Sequence, residues 1–248
     1  MRPIHCRSTG PGISRIKARS SGPPSLTALG FACLAFNRRG HDILSVRDSR
    51  AAEGAAFQTT AEAIADNEYA ASWLRDKGYD APVVIGHSNG GFLSVQHVAK
   101  HPETPALVLL SAHAGSSTAQ TLAMKTGLLG GGRTPELRAQ AEAMIAEGRG
   151  SELMLLPGRW YVASAESYYD RLTTMPSTVD TAPEISCPTL YIRGDEESRE
   201  SYPAEDFAAG SNGPCDVVVV ENCDHFYKGR EDAIIDLVGP WLKKTLLN

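Results

Sequence analysis

Three side chains of this 248-residue chain could together carry nucleophilic chemistry: Ser88, Asp195 and His225. Ser88 lies in Gly86-His87-Ser88-Asn89-Gly90-Gly91, directly behind the apolar run Val83-Val84-Ile85 and ahead of the helix-like stretch Phe92 to Ala99. A buried strand that becomes a helix within so few residues must bend sharply, and glycines at 86 and 90 let neighbouring backbone crowd against the bend. The serine hydroxyl is then held clear of the sheet, at the amino end of a helix. A hydroxyl is a weak nucleophile at neutral pH, so it needs a base to take its proton and a third group to orient that base. His225, in Asp224-His225, is the candidate base. Asp195, in Gly194-Asp195, is the candidate orienting acid, with Glu196 and Glu197 next to it as alternatives. His87 is expected to pack beside the turn rather than act as a base.

These groups need elements to position them. Phe31–Phe36, Val83–Ile85, Ala106–Ser111, Pro188–Arg193 and Cys215–Val220 are short apolar runs of the kind that form strands buried on both faces. Between them lie helical stretches. Gln58–Lys77 is one, with Ile64, Ala65, Tyr69, Trp73 and Leu74 near one face, and Glu231–Leu247 closes the chain as another. Repeated strand–helix units joined by short loops imply an α/β fold: a three-layer sandwich with a mostly parallel sheet of about five recognisable strands and helices on both faces. In such a sheet, active groups gather at the carboxyl ends of strands, which is where Ser88, Asp195 and His225 all fall.

The alternation stops between residues 115 and 181, which divides the core into 26–114 and 182–248. The interruption reads as a helical cap, with Thr134 and Pro135 opening a helix. Its aromatics, among them Trp160, Tyr161 and Tyr168, are expected to line the substrate pocket from above. The plainer reading is a surface helical excursion with an aromatic cluster of its own.

Composition narrows the function classes. At 42% hydrophobic and 21% charged residues the chain is ordinary for a globular protein, and a formal charge of −5 argues against a general nucleic-acid partner. No apolar run approaches the ~18 residues of a membrane span. The five cysteines form no Cys-x-x-Cys pair and read as small buried hydrophobes of a reducing, cytoplasmic setting. No cofactor and no metal is expected.

From Leu26 onward the chain resembles an α/β-hydrolase-fold serine hydrolase of the carboxylesterase kind. Gly86-His87-Ser88-Asn89-Gly90-Gly91 is similar to the nucleophile elbow, and Asn37-Arg38-Arg39-Gly40-His41 resembles the D-x-R-G-x turn after the family's fourth strand, with Asn for Asp. Gly194-Asp195 and Asp224-His225 resemble the acid and histidine loops. The resemblance implies an acyl-enzyme on Ser88, cleavage of a small carboxylic ester, and one oxyanion donor from the N–H of Asn89. It implies a second donor from a His-Gly loop after the third strand, and no such loop precedes Phe31. Residues 1–25 are basic, free of acids and without strand or helix periodicity, so they are expected to be disordered or read from a shifted frame, with the first three strands missing. Either the protein is an impaired fragment, or the Phe31 strand pairs directly with the Val83 strand and the sheet contracts to five. A scaffold without turnover, serving as a binding protein, is the alternative function.

Overall fold

The protein is described as a computed structural model comprising residues 3–7, 22–46, 51–115, 125, 128–157 and 161–247. In chain order its elements are β1 (Pro3–Arg7), α1 (Gly22–Ala28), β2 (Ala32–Phe36), β3 (Ser45–Val46), β4 (Ala52–Glu53), α2 (Thr60–Asp76), β5 (Val83–His87), α3 (Asn89–Val98), β6 (Leu107–Leu110), α4 (Thr134–Ala146), β7 (Leu153–Leu156), β8 (Tyr161–Ser164), α5 (Ala165–Thr173), β9 (Thr189–Gly194), α6 (Ala204–Gly210), β10 (Cys215–Val220) and α7 (Glu231–Leu247). They fall into two compact units. One comprises Met1–Asn37, Asn67–Ala114 and Thr178–Asn248, the other Arg38–Asp66 and Gly115–Ser177.

The first unit is built on a six-stranded sheet in the order β10-β9-β6-β5-β1-β2. Every neighbouring pair is parallel. Successive side chains of a strand point to opposite faces, and here both faces are covered. Val83, Ile85, Val108, Leu190 and Ile192 join Leu26 and the α7 residues Ile234, Val238 and Leu242 in one core. Their sequence neighbours Val84, Leu107, Leu109 and Tyr191 join Val95 and Val98 of α3 and Phe207 of α6 in another. That alternation produces the three-layer sandwich. It also explains the continuous apolar runs, since each side chain fully buried contributes about 1.5–3 kcal/mol whichever face it takes.

The sheet differs from expectation at one strand. Pro3–Arg7 lies between β5 and β2, with Ile4 opposite Val83 on one side and Cys33 on the other. The strand from Phe31 therefore does not pair directly with the Val83 strand, and the place of the expected missing strand is filled. Its backbone joins two ladders, with Pro at the first position, where a missing N–H is tolerated. The rest of the segment expected to be disordered is helical from Gly22, while residues 1–2 and 8–21 lie outside the described residues.

A second difference concerns α2. Its buried positions in this unit are Asn67, Ala70, Ala71 and Leu74, whereas Tyr69 and Trp73 are exposed. The small-residue face packs inward, and Asn67 Nδ2 donates to the Leu93 carbonyl at 2.9 Å. Trp73 is instead covered by Lys77, whose ammonium lies 5.6 Å from the ring centroid.

The second unit holds α4, α5 and two small antiparallel ladders, β3 with β4 and β7 with β8. Its core is formed by Leu137, Ala141 and Met144 of α4, Met154 and Leu156 of β7, and Tyr168 and Leu172 of α5. The insertion expected over 115–181 ends here at Ser177 and is joined by Arg38–Asp66. Arg39, in the polar turn after β2, donates from Nε to Asp66 Oδ1 at 2.7 Å and pairs with Glu62 at 3.2 Å. Among the described residues no helix is long and apolar enough to cross a membrane.

Candidate active site

Ser88 follows β5 immediately and stands at the start of α3 with φ 56° and ψ −124°. That backbone is unfavourable for a residue with a side chain and persists because its surroundings fix it. The Ser88 N–H donates to the Leu110 carbonyl at 2.9 Å, and its carbonyl accepts from Gly91, Phe92 and His113 N–H groups. Gly86 is required by close approach: a Cβ there would lie 2.7 Å from the Gly90 carbonyl carbon and against Ser94 Oγ. Ser94 Oγ in turn donates to the Gly90 carbonyl at 2.7 Å. The elbow is thus tied to the adjacent strand and to its own helix.

His225, in the loop after β10, meets the serine. Its Nε2 lies 2.9 Å from Ser88 Oγ, and its Nδ1 lies 2.6 Å from Glu197 Oε1. The carboxylate against the imidazole therefore belongs to Glu197, and the expectation of Asp195 in that role is corrected. Asp195 is exposed, and its Oδ1 accepts the Cys223 N–H at 3.1 Å. Hydrogen bonds from the Cys223 and Asn222 N–H groups hold the Asp195 carboxyl below its ordinary value. It is a loop fastener, joining the turn after β9 to the turn after β10. The physical reason lies in the path of that turn. Gly194 passes so close to the Cys223 carbonyl that a Cβ would collide with it, and the Asp195 N–H is engaged by Val220 at 3.0 Å. Asp195 is left at the rim while Glu197 folds underneath.

Glu197 is held from every side. Its side chain is 3% exposed, and Oε2 accepts from Ser111 Oγ at 2.6 Å and from the Gly194 N–H at 2.7 Å. With its proton on Glu197, Ser111 Oγ accepts from the Tyr227 hydroxyl at 2.5 Å, and that hydroxyl lies 3.1 Å from the Ile192 carbonyl. Burial, first of all, raises the Tyr227 hydroxyl well above its ordinary value, so it remains a donor. A buried carboxylate with its oxygens satisfied by three donors keeps its orientation.

His87 Nε2 lies 2.7 Å from the His225 carbonyl. Burial, and then the nearby His225, lower His87 to about 4. The ring is neutral at ordinary pH, donates that Nε2–H, and anchors the histidine loop. It is a positioning residue, as expected, and not a base. His113 is likewise lowered to about 4 by burial and by His225. Tyr202 stacks beside His225 at 4.7 Å between centroids, and its hydroxyl is pushed up to about 12 by burial and then by Glu197.

The described non-glycine residues with positive φ are Ser88, Ser111, Asn222 and Tyr227. All four follow β5, β6 or β10 at the carboxyl edge, so the strained backbone collects around this constellation. Sequence reasoning missed Ser111 and Tyr227, and it held Glu197 only as an alternative to Asp195, from its place three residues beyond a strand.

The other expected residues fare differently. Asn89 opens α3, where its N–H has no carbonyl within the helix to pair with, as an oxyanion donor requires. The loop after β1, where a second donor would be sought, lies outside the described residues. Tyr168 does not line a pocket: it is 0% exposed within the core of the second unit, hydrogen-bonded to Thr134. Trp160 lies outside the described residues, and Tyr161 is described by its backbone alone.

The profile of the Alpha/beta hydrolase family matches residues 17–232. No curated protein matches the chain by sequence. Among solved structures, the alpha/beta hydrolase GrgF from Penicillium sp. sh18 is similar with TM-score 0.70 at 14% identity, over 100% of this chain and 91% of that one. Est1E from Butyrivibrio proteoclasticus is similar with TM-score 0.64 at 15% identity, over 99% and 88%. A monoacylglycerol lipase of Paleococcus ferrophilus is similar with TM-score 0.60 at 15% identity, over 96% and 93%. At such identities the likeness speaks to fold.

Proposed function

Because the chain belongs to the alpha/beta hydrolase family, we propose that it is a serine hydrolase that cleaves a small carboxylic ester through an acyl-enzyme on Ser88. One observation carries the reading: the unbroken line from Ser88 Oγ to His225 Nε2 at 2.9 Å and from His225 Nδ1 to Glu197 at 2.6 Å. Both separations lie within proton-transfer reach.

In the first half-reaction Ser88 Oγ attacks the ester carbonyl while His225 Nε2 takes its proton. Glu197 keeps the Nδ1–H facing itself, so that Nε2 is the basic nitrogen, and stabilises the imidazolium as it forms. The carbonyl oxygen gains a negative charge, which the Asn89 N–H and the positive end of α3 stabilise. Collapse of this intermediate breaks the bond to the alcohol, which leaves with the proton from His225. Water then attacks the acyl-serine, giving its proton to His225, and collapse releases the acid and returns the proton to Ser88. A net charge of −5 fits a small neutral substrate better than a polyanionic one. Two similar structures, the esterase domain from a Rhodothermus marinus protein and the Paleococcus ferrophilus monoacylglycerol lipase, agree in reaction class.

Hydrolysis of p-nitrophenyl butyrate tests the reading. The protein should turn it over, and Ser88→Ala should lose at least about 10³ in kcat with its circular dichroism unchanged. A wild-type protein that is folded and inert toward short esters would instead support a binding scaffold.

A further inference from the structure

A second cluster of reactive side chains lies near the opposite end of α3 from Ser88. His97 is eight residues along the helix from Asn89, about 12 Å at 1.5 Å per residue. His97 Nδ1 lies 2.6 Å from Glu68 Oε1, and His101 Nε2 lies 2.7 Å from Glu68 Oε2. The two imidazoles stack with centroids 4.3 Å apart, and one ligand atom from each of the three residues lies within 4.8 Å of the others. We propose that Glu68, His97 and His101 form a binding site for zinc(II), which would clamp α2 to α3.

The donor set suits that ion. Zinc takes imidazole nitrogen and carboxylate oxygen at about 2.0–2.2 Å in a tetrahedral arrangement, with water able to take the fourth place. Bonds of that length set ligand atoms about 3.3 Å apart. The present contacts of 2.6 and 2.7 Å therefore need to open by about 0.6–0.7 Å, and any separation nearer the 4.8 Å bound needs to close toward the same value. Glu68 and His101 have the room, with side chains 35% and 20% exposed, while His97 is fixed at 3%. His101 carries a further mark of a ligand. Its Nδ1 lies 2.9 Å from Glu103 Oε1, and a carboxylate on the far nitrogen of a ligating histidine fixes the tautomer and raises its basicity. On binding, His101 keeps its proton on Nδ1 toward Glu103 and presents Nε2, and His97 presents Nδ1 with its proton on Nε2. Magnesium and calcium, which prefer oxygen ligands, are not matched by two imidazoles.

The test uses the full chain freed of metal by chelation. Equilibrium dialysis against zinc should give one more equivalent bound to the wild type than to Glu68→Gln or to His101→Ala. If the site binds with Kd of about 1 µM, 100 µM zinc should raise the wild-type unfolding midpoint by about 5–10 °C. The same concentration of magnesium should leave the midpoint unmoved. Both variants alter partly exposed side chains, and circular dichroism checks that each is folded. Equal zinc content in the wild type and both variants, or no zinc bound by the wild type, would overturn the proposal and leave a hydrogen-bonded pair of helices.

Discussion

Replacing Glu197 by Gln and, separately, Asp195 by Asn separates two accounts of the orienting acid. Glu197 accepts three hydrogen bonds, from His225 at 2.6 Å, Ser111 at 2.6 Å and the Gly194 N–H at 2.7 Å. A glutamine there has one accepting oxygen and one donating nitrogen, and no rotamer satisfies both sides. If the oxygen stays with Gly194, the amide donates to His225 Nδ1, which forces the imidazole proton onto Nε2. In that tautomer the ring cannot accept the Ser88 proton. For triads of this kind the wrong tautomer lowers kcat about 10⁴-fold, or about 5.5 kcal/mol at 1.36 kcal/mol per decade. If the amide is reversed, a donor faces the Gly194 N–H in a buried site, at a cost of about 1–3 kcal/mol. Asp195→Asn should do little, because its amide oxygen still accepts the Cys223 N–H and the position is exposed. Surface changes of that sort stay within about 0.5 kcal/mol, or about twofold in rate. The assay is steady-state hydrolysis of p-nitrophenyl butyrate, with unfolding midpoints recorded for both variants. A loss beyond a hundredfold in Asp195→Asn, with Glu197→Gln near wild type, would refute the assignment.

Three further outcomes follow from the geometry. Ser111→Ala removes one donor to a buried charge, worth about 1.5–3 kcal/mol, so kcat should fall by tenfold or more while KM changes little; wild-type kcat in this variant would show that Glu197 is held without it. Gly194→Ala drives a Cβ into the Cys223 carbonyl, and the variant should unfold at a markedly lower temperature, whereas an unchanged midpoint would contradict the close crossing of the two loops. Folding lowers His87 and His113 to about 4 from about 6.5 in an unfolded chain. Between those values the unfolded chain binds protons that the folded one does not, so stability is full above about pH 6.5 and declines toward pH 4, by up to about 3 kcal/mol per histidine. Urea midpoints that stay level from pH 7 to 4.5 would contradict the burial of these rings.

The sequence made some of this legible and hid the rest for physical reasons. The strands from 83, 107, 189 and 215 announce themselves because burial on both faces demands unbroken apolar runs, and the bend at Ser88 shows because two glycines flank it. β1 does not, because Pro3-Ile4-His5-Cys6-Arg7 offers no such run, and its place is set by pairing with β2 and β5. Asp195 and Glu197 are two residues apart in one turn, and only the crossing of Gly194 with Cys223 decides which faces the histidine. Tyr168 misleads because aromatic density marks a small core as readily as a pocket wall. Ser111 and Tyr227 carry no local signal, since their hydroxyls meet only when β6, β9 and the histidine loop are assembled.

The central claim is that Ser88 is an activated nucleophile, and labelling with a fluorophosphonate tests it with no assumption about substrate. The reagent phosphonylates only a serine whose proton is drawn off by a neighbouring base. Intact-mass and peptide mass spectrometry should find one adduct per chain, on Ser88, formed in the wild type and absent from both Ser88→Ala and His225→Ala. A folded wild-type protein that takes up no label, or takes it equally when His225 is replaced, would contradict the account.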